Sequence, residues 1–253
     1  MKVALFIPCF VDQFYPEVGK AMVAVLRRIG VEVCYPSEQT CCGQPAFNTG
    51  YWDEARTLAR RYCEIFDGYD AVVSPSGSCT AMVRNFYPEL LGLSSVAAPL
   101  CRGAGDDGTA AERRGYRAIA NTFEFSEFLV RKLRITDVGA KFPAKVTYHD
   151  SCHTLRELRL KEEPRKLLRA VSGLELIEMT EAETCCGFGG TFSVKFPAIS
   201  TAMDDVKCQS IVATGAQYVV SVDSSCLMQI GGWLRQRGLP VKTMHLAEVL
   251  AQT

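Results

Sequence analysis

The chain has 253 residues, a formal net charge of zero and 22% charged residues. This length allows one large domain or two small ones, and the 48% hydrophobic content is ordinary for a globular protein. Because no basic run accompanies the neutral charge, nucleic acid is not expected as a partner. The apolar run at residues 3–8 is too short for a signal-peptide core or a membrane span. We therefore expect a cytoplasmic protein without a transmembrane segment.

Twelve cysteines are the most unusual feature of the composition. A cytosolic protein keeps its thiols reduced, so clustered cysteines there indicate metal binding or redox chemistry rather than a disulfide framework. Eight of the twelve form one pattern written twice, with intervals of 32 and 37 residues in the first copy and 33 and 40 in the second. The eight candidate ligands are Cys9, Cys41, Cys42 and Cys79, then Cys152, Cys185, Cys186 and Cys226. We interpret the other four, Cys34, Cys63, Cys101 and Cys208, as small buried hydrophobic residues.

The predicted elements of the first half alternate between strand and helix. The apolar run 2–8 predicts a buried strand that ends at Cys9. Helical spacing over 16–29 precedes a second short strand at 31–35, and Cys41-Cys42-Gly43 lies in the loop after it. A helix at 52–66, a strand at 71–74 and a helical stretch from Cys79 toward Leu91 complete the unit.

The second half repeats this order. Strands are predicted at 145–149, 174–178 and 218–222, and helices at 162–171, at 197–214 and from Cys226 onward. Residues 122–129 and 243–250 resemble each other and end the two halves. The first half carries extra material that includes residues 103–108. We interpret that glycine-rich segment as a flexible loop rather than a phosphate cradle, because no strand leads into it.

Alternating strands and helices predict an internally duplicated α/β fold with two Rossmann-like, parallel-sheet βα units, at residues 1–140 and 141–253. Ligands of parallel sheets bind outside the carboxyl ends of the strands. Since the repeated cysteines follow predicted strands, we expect each set of four to converge at one sheet edge.

Zinc, an iron–sulfur cluster and a thiol–disulfide centre all use cysteine thiolates. Each set contains a directly adjacent pair, and adjacent side chains reach two irons of a cluster more easily than one small ion. This geometry favours iron–sulfur, without excluding zinc. The glycines Gly43, Gly187 and Gly189 would let the backbone approach a bulky core and donate amide hydrogen bonds to sulfur. They are predicted as cofactor-binding residues, although glycines also simply make turns.

Two of the three histidines, His149 and His153, flank Cys152. They are candidates for hydrogen-bond donors to the cofactor, a replacement ligand or proton carriers. The first half has no histidine at this place, so we expect inequivalent sites. The arginines between 156 and 169 alternate with glutamates, which is typical of a solvated helix face or a surface for an acidic partner.

The duplicated pattern resembles the cysteine-rich CCG-domain proteins, and most closely the lactate-utilisation protein A type, an iron–sulfur-binding protein. The CCG-domain component of heterodisulfide reductase and the glycolate oxidase iron–sulfur subunit are more distant relatives. The resemblance covers nearly the whole chain. Its most specific segments are Ile7-Pro8-Cys9, Cys41-Cys42-Gly43-Gln44-Pro45, His149-Asp150-Ser151-Cys152-His153 and Cys185-Cys186-Gly187-Phe188-Gly189-Gly190.

The resemblance implies an electron-transfer subunit of a multi-protein oxidoreductase that oxidises L-lactate to pyruvate or acts on a related 2-hydroxy acid. It implies iron–sulfur clusters of the 4Fe-4S kind, zinc as an alternative at one site, and partner subunits including a ferredoxin-like iron–sulfur protein. In the heterodisulfide reductase branch a fifth cysteine completes each site, but Ser76 and Asp223 stand there in this chain. Four-thiolate clusters, or one cluster and one metal ion, are then expected.

Two other functions remain open at this point. One is a catalytic subunit of the disulfide-reductase type, and the other is a zinc-binding scaffold without redox function. No glycine-rich dinucleotide fingerprint follows the first strand, where Pro8-Cys9-Phe10 stands. No catalytic residue is therefore assigned, and we expect a redox subunit rather than a complete enzyme.

Overall fold

A computed structural model describes residues 1–93 and 116–253 of the chain. The first sheet is parallel, with the order β2-β1-β3-β4. Its strands are β1 (Val3–Leu5), β2 (Val33–Cys34), β3 (Ala71–Ser74) and β4 (Thr122–Glu124). The central strands β1 and β3 are fully buried, as the continuous apolar runs predict. The predicted loop at 103–108 and Cys101 lie outside the described residues.

The second sheet repeats the first, with the order β6-β5-β7-β8 and parallel pairing throughout. Its strands are β5 (Lys145–Tyr148), β6 (Glu175–Leu176), β7 (Tyr218–Ser221) and β8 (Lys242–His245). Two sheets of identical order confirm the α/β class and the internal duplication. The predicted outer strands at 31–35 and 174–178 are longer than the two-residue strands observed.

Helices connect the strands in both repeats, and several are short. In the first repeat, within residues 1–93 and 121–140, they are α1 (Cys9–Phe14), α2 (Pro16–Arg28), α3 (Gln44–Asn48), α4 (Trp52–Phe66), α5 (Gly77–Ala81), α6 (Tyr87–Leu90) and α7 (Phe125–Glu127). In the second they are α8 (Glu162–Ala170), α9 (Thr191–Lys195), α10 (Pro197–Ala213), α11 (Ser224–Gln236) and α12 (Leu246–Ala251). The described part of the chain also contains three π-helical segments, at Met82–Phe86, Phe128–Lys132 and His153–Glu157.

The two closing segments have the same design. Glu124 ends β4 and its carboxylate accepts hydrogen bonds from the backbone N–H groups of Ser126 and Glu127. His245 ends β8, and its Nδ1 accepts from the N–H of Ala247 at 3.1 Å. Each last strand therefore passes directly into a helix whose first N–H groups are capped. This explains why residues 122–129 and 243–250 resemble each other in sequence.

One hydrophobic core runs through both repeats. Val3 and Leu5 of the first sheet belong to the same buried cluster as Val146 and Tyr148 of the second. Helix α2 packs against α12, the last helix of the chain. The repeats thus share buried surface along one side, while each keeps a smaller cluster of its own on the other. The division at residues 140 and 141 stays a prediction.

The repeats also pack reciprocally near the repeated cysteines. Helix α5, which carries Cys79, packs against the π-helix His153–Glu157, which follows Cys152. In the same way α11, which carries Cys226, contacts α1, which opens at Cys9. A Cβ added at Gly77 would lie 1.7 Å from Thr154 Oγ1, so only glycine permits this approach. Each of these cysteine-bearing segments therefore packs against the opposite repeat.

A buried carboxylate closes the interface between the repeats. Asp223 Oδ1 accepts hydrogen bonds from the Ser78 hydroxyl at 2.9 Å and the Ser76 hydroxyl at 3.2 Å. Its Oδ2 accepts from the Ser78 N–H at 2.9 Å and the Ser151 hydroxyl at 2.8 Å. We call these four residues the Asp223 junction. Their four bonds join the turn before Cys79 to the turns before Cys152 and Cys226.

We expect Gly77→Ala to destabilise the metal-free protein by about 1–3 kcal/mol, because the added methyl group overpacks the α5 contact with Thr154. Gly232→Ala in α11 is the matched control, since its Cβ would meet nothing within 4 Å. The control should be neutral or stabilising by up to about 1 kcal/mol. Urea unfolding of both variants measures the difference, and equal stability would contradict the close packing at Gly77.

Asp223→Ala should lower the free energy of unfolding by about 3 kcal/mol, because two buried serines, Ser76 and Ser151, and the half-buried Ser78 lose a charged acceptor. Asp53→Ala removes a carboxylate that is 90% exposed and should cost no more than about 1 kcal/mol. Urea unfolding of the metal-free proteins checks both values. A loss at Asp223 as small as that at Asp53 would mean that the junction does not hold the repeats together.

Candidate metal centres

The first cysteine set converges as the sheet topology predicts. Cys9 opens α1 after β1, and Cys79 lies in α5 after β3, so both are at the carboxyl edge of the sheet. The Cys42 thiol donates to Cys79 Sγ at 3.3 Å. Hydrogen bonds from Cys42 and Cys9 lower the pKa of Cys41 to about 3. The same interaction with Cys41, together with burial, raises the pKa of Cys9. The four thiols therefore form one interacting group.

The second set has the same arrangement. Hydrogen bonds from Cys152 and Cys186 lower the pKa of Cys185 to about 2. The pKa of Cys186 is raised by its bonds to Cys185 and Cys226 and by burial. Cys186, Cys226 and His149 place their ligand atoms within 4.8 Å of one another. These three ligand atoms are close enough to bind one metal ion.

The adjacent cysteines of each pair divide their contacts. Cys42 contacts Cys79, the last cysteine of its set, whereas Cys41 contacts Cys9, the first. In the second set Cys186 contacts Cys226, whereas Cys185 contacts Cys152. Each pair thus presents its two thiols to different sides of one centre. This division suits a multi-iron cluster, whose irons take separate thiolates.

Backbone amides also point at sulfur. The Gly43 N–H donates to Cys41 Sγ at 3.4 Å, and the Gly187 N–H donates to Cys185 Sγ at 3.3 Å. Gly187 has φ +85°, and a Cβ there would lie 2.5 Å from the Ser200 carbonyl oxygen. Only glycine can therefore hold this amide in place. Gly189 follows in the turn before α9 with φ +50°. That these glycines bind a cofactor stays a prediction.

His149 is fully buried beside the second set, at the end of β5. Neither its Nδ1 nor its Nε2 has a hydrogen-bond partner among residues 1–93 and 116–253. Burial, helped by the positive charge of Lys207, lowers its pKa to about 3, so the imidazole is neutral at pH 7. A neutral, unpartnered and buried imidazole can act as a ligand or hydrogen-bond donor to a group held by the thiols.

His153 lies between the two sets rather than within the second. Its Nε2 is 3.3 Å from Nε2 of Gln44, the residue that follows Cys41-Cys42-Gly43. The same Gln44 nitrogen donates to the Ser78 carbonyl oxygen at 3.4 Å. His153 thus connects the segment after Cys152 with the loop of the first set. Its assignment as a cofactor-binding residue stays a prediction.

Ser76 and Asp223 occupy the positions where the heterodisulfide reductase branch has a further cysteine. In this structure the two side chains bond to each other in the Asp223 junction. The two residues therefore share a structural role in this chain. Four thiols remain at each centre.

Two sequence-based assignments need correction, and one residue was missed. Arg165, in the stretch predicted as a solvated helix face, is only 3% exposed. Its guanidinium binds both carboxylate oxygens of Asp150, at 2.8 and 2.7 Å, and those of Glu178, at 2.8 and 3.0 Å.

Cys34 is exposed in the edge strand β2, whereas Cys63 and Cys208 are buried as predicted. Lys207, inside the predicted helix 197–214, carries no sequence signal and is fully buried near the second set.

The donors present fit an iron–sulfur cluster or a comparable thiolate-bound metal. Each centre offers four thiols, a sulfur-directed amide and a location at the edge of a parallel sheet. In the second centre the two unpartnered nitrogens of His149 also fit a bound group. The cysteines would hold such a group, and the glycine amides would hydrogen-bond to its sulfur ligands.

Alkylation of the metal-free protein should distinguish the cysteines within each set. Because the thiolates of Cys41 and Cys185 persist in acid, their initial rates should stay nearly constant from pH 8 to pH 5. Cys9 is the control, since it is exposed but has a raised pKa, and its rate should fall about tenfold for each pH unit. Peptide mass spectrometry with iodoacetamide measures the rates. Equal pH dependence at all three would contradict the hydrogen-bonded arrangement.

Comparisons with known proteins identify the family of this chain. The family described as CCG, cysteine-rich domain, matches residues 3–84 and again 146–231. A lactate utilization protein A of Bacillus pumilus is 48% identical over 251 residues, which covers 99% of this chain and 99% of the relative. Another, from an Exiguobacterium species, is 47% identical over 250 residues and covers 98% and 96%.

Among solved structures, a hypothetical protein from Helicobacter pylori aligns with a TM-score of 0.56 at 10% identity. The alignment covers 98% of this chain and 48% of that one, so the likeness concerns the fold alone. The family match falls on the two segments that carry the cysteine sets, and the relatives align from end to end. The chain therefore belongs to the cysteine-rich CCG-domain family, whose model matches it twice, and is related to the lactate utilization protein A group.

Proposed function

We propose that this protein is an electron-transfer subunit with two cysteine-ligated iron–sulfur centres. The observation that carries the proposal is the gathering of eight cysteines, distant in sequence, into two sets of interacting thiols. Thiolate-bound clusters supply one-electron chemistry. The first βα turn carries Cys9 instead of a glycine-rich dinucleotide motif, which supports electron relay rather than hydride transfer.

The substrate assignment comes from the relatives. Proteins named lactate utilization protein A align with nearly the whole chain at 47–48% identity. We infer that the electrons come from oxidation of L-lactate to pyruvate, or of a related 2-hydroxy acid, carried out with other subunits. A ferredoxin-like iron–sulfur protein is the expected partner. In the described part of the chain no helix combines the length and apolarity that a bilayer span requires. A cytoplasmic location remains part of the proposal.

A zinc ion in the second centre is the second candidate. Cys186, Cys226 and His149 lie close enough to bind one ion, and zinc commonly takes mixed cysteine and histidine ligands. In that case the first centre would hold a cluster and the second a structural ion. His149→Gln distinguishes the two alternatives, because it should reduce the zinc content if His149 is a zinc ligand.

The decisive experiment measures iron, acid-labile sulfide and zinc in anaerobically purified protein, together with EPR spectra. We expect several irons with equal sulfide and a spectrum that dithionite changes. Cys79→Ser should abolish the signal of the first centre and Cys226→Ser that of the second, each lowering the iron content to about half if the centres are alike. Zinc without sulfide in the wild type would overturn the electron-transfer proposal.

Cys34→Ser is the matched control, because Cys34 is exposed and outside both sets. It should retain full iron and sulfide. Substrate assignment is checked in a deletion strain, whose growth on L-lactate should be restored by the wild type and the control but not by Cys79→Ser. Equal growth with all three proteins would contradict a role of Cys79 in lactate oxidation.

A further inference from the structure

Lys207 is a buried lysine in α10 whose ammonium contacts the backbone just before Cys185 of the second centre. Its side chain is 0% exposed, which is rare for lysine unless it is paired. The ammonium donates hydrogen bonds to the carbonyl oxygens of Glu181 and, at 3.1 Å, Ala182. The Met179 sulfur lies at 4.0 Å. All of these partners are uncharged.

No carboxylate within residues 1–93 and 116–253 forms an ion pair with Lys207. The contrast is Arg165, the other deeply buried cation of this repeat, which has Asp150 and Glu178 as bonded counter-charges. A buried charge without a counter-charge is costly, since neutral dipoles replace only part of its hydration. The position would therefore be unfavourable unless an anion faces the ammonium when the protein is loaded.

Burial lowers the pKa of Lys207, and four acidic side chains near it oppose this effect by favouring the ammonium form. They are, in decreasing order of interaction, Cys186, Asp150, Cys226 and Glu181. The Asp150 carboxylate is already bound at both oxygens by Arg165, and Glu181 Oε2 accepts from Thr184. What remains are Cys186 and Cys226 of the second centre, which are thiolates when they bind a metal or a cluster.

The first repeat has no such charge at the related place. Tyr62 of α4 stands 20 residues after Cys42, and Lys207 of α10 stands 21 residues after Cys186. Tyr62 is buried near Cys42 and Cys79, and its hydroxyl is 2.8 Å from Thr122 Oγ1. Burial raises its pKa, so it stays a neutral phenol. A neutral group thus borders the first centre, and an ammonium borders the second.

We propose that Lys207 is the counter-charge of the second centre and gives that centre a higher reduction potential than the first. The inference rests on the proposed iron–sulfur function. Reduction adds negative charge to a thiolate-bound cluster, and a nearby buried cation stabilises the reduced form more than the oxidised form. The Tyr62 phenol offers the first centre no comparable stabilisation.

The test is an EPR-monitored redox titration of the loaded protein. Lys207→Gln keeps a hydrogen-bond donor for the 181–182 carbonyls but removes the charge. It should lower the reduction equilibrium constant of the second centre at least tenfold, which is 59 mV for a one-electron couple, and leave the first centre unchanged. Lys195→Gln is the control, because that lysine is exposed and water screens its charge. Unchanged potentials in loaded Lys207→Gln would overturn the role of Lys207.

Melting of the metal-free protein provides a readout that does not need cluster loading. Without a bound group the ammonium lacks its counter-charge, so Lys207→Met should melt at or above the wild-type temperature. If Lys207→Met and Lys207→Gln both melt lower, the lysine serves only to hold the 181–182 carbonyls, and the proposal fails. Wild type without iron and sulfide would instead contradict the proposed function, so the two failures are distinguishable.

Discussion

A single buried carboxylate determines how the two repeats meet. Asp223 accepts four hydrogen bonds from Ser76, Ser78 and Ser151, and these residues precede Cys79 and Cys152 in the chain. A buried carboxylate is stable only when its oxygens accept hydrogen bonds. The three serines and the aspartate therefore constrain one another's positions. The cysteines that follow them are thereby fixed relative to each other. The shared hydrophobic core holds the two repeats together, and the Asp223 junction fixes their position relative to each other.

The two centres lie at matching places in their repeats, but the side chains next to them differ. Tyr62 and Tyr87 surround the first centre with neutral hydroxyls, the latter donating to the Cys42 carbonyl oxygen at 2.9 Å. His149 and Lys207 place an imidazole and an ammonium beside the second. Duplicated ligand positions therefore do not imply duplicated chemistry. Differences in charge at the same backbone position are an economical way to separate the properties of two bound groups.

The sequence predicted the parts of this structure that depend on local pattern. Buried apolar runs located β1 and β3, and the rule for parallel sheets correctly predicted that the four cysteines of the first set converge. It could not predict partners that meet only in three dimensions. Asp223 was noted as a replaced cysteine, but its serine partners lie 72 and more residues away. Arg165 looked solvated because its charged neighbours alternate, and its burial depends on Asp150 and Glu178.

The pairing of Ser76 with Asp223 bears on how such a chain can arise. Both stand three residues before the last cysteine of their set, and they meet each other across the interface. In a symmetric dimer of one repeat, these two positions would carry the same residue. Two aspartates would repel each other there, and two serines would leave no charge to bind. Joining the repeats in a single gene lets each position diverge, so the fused chain can have an acid opposite an alcohol.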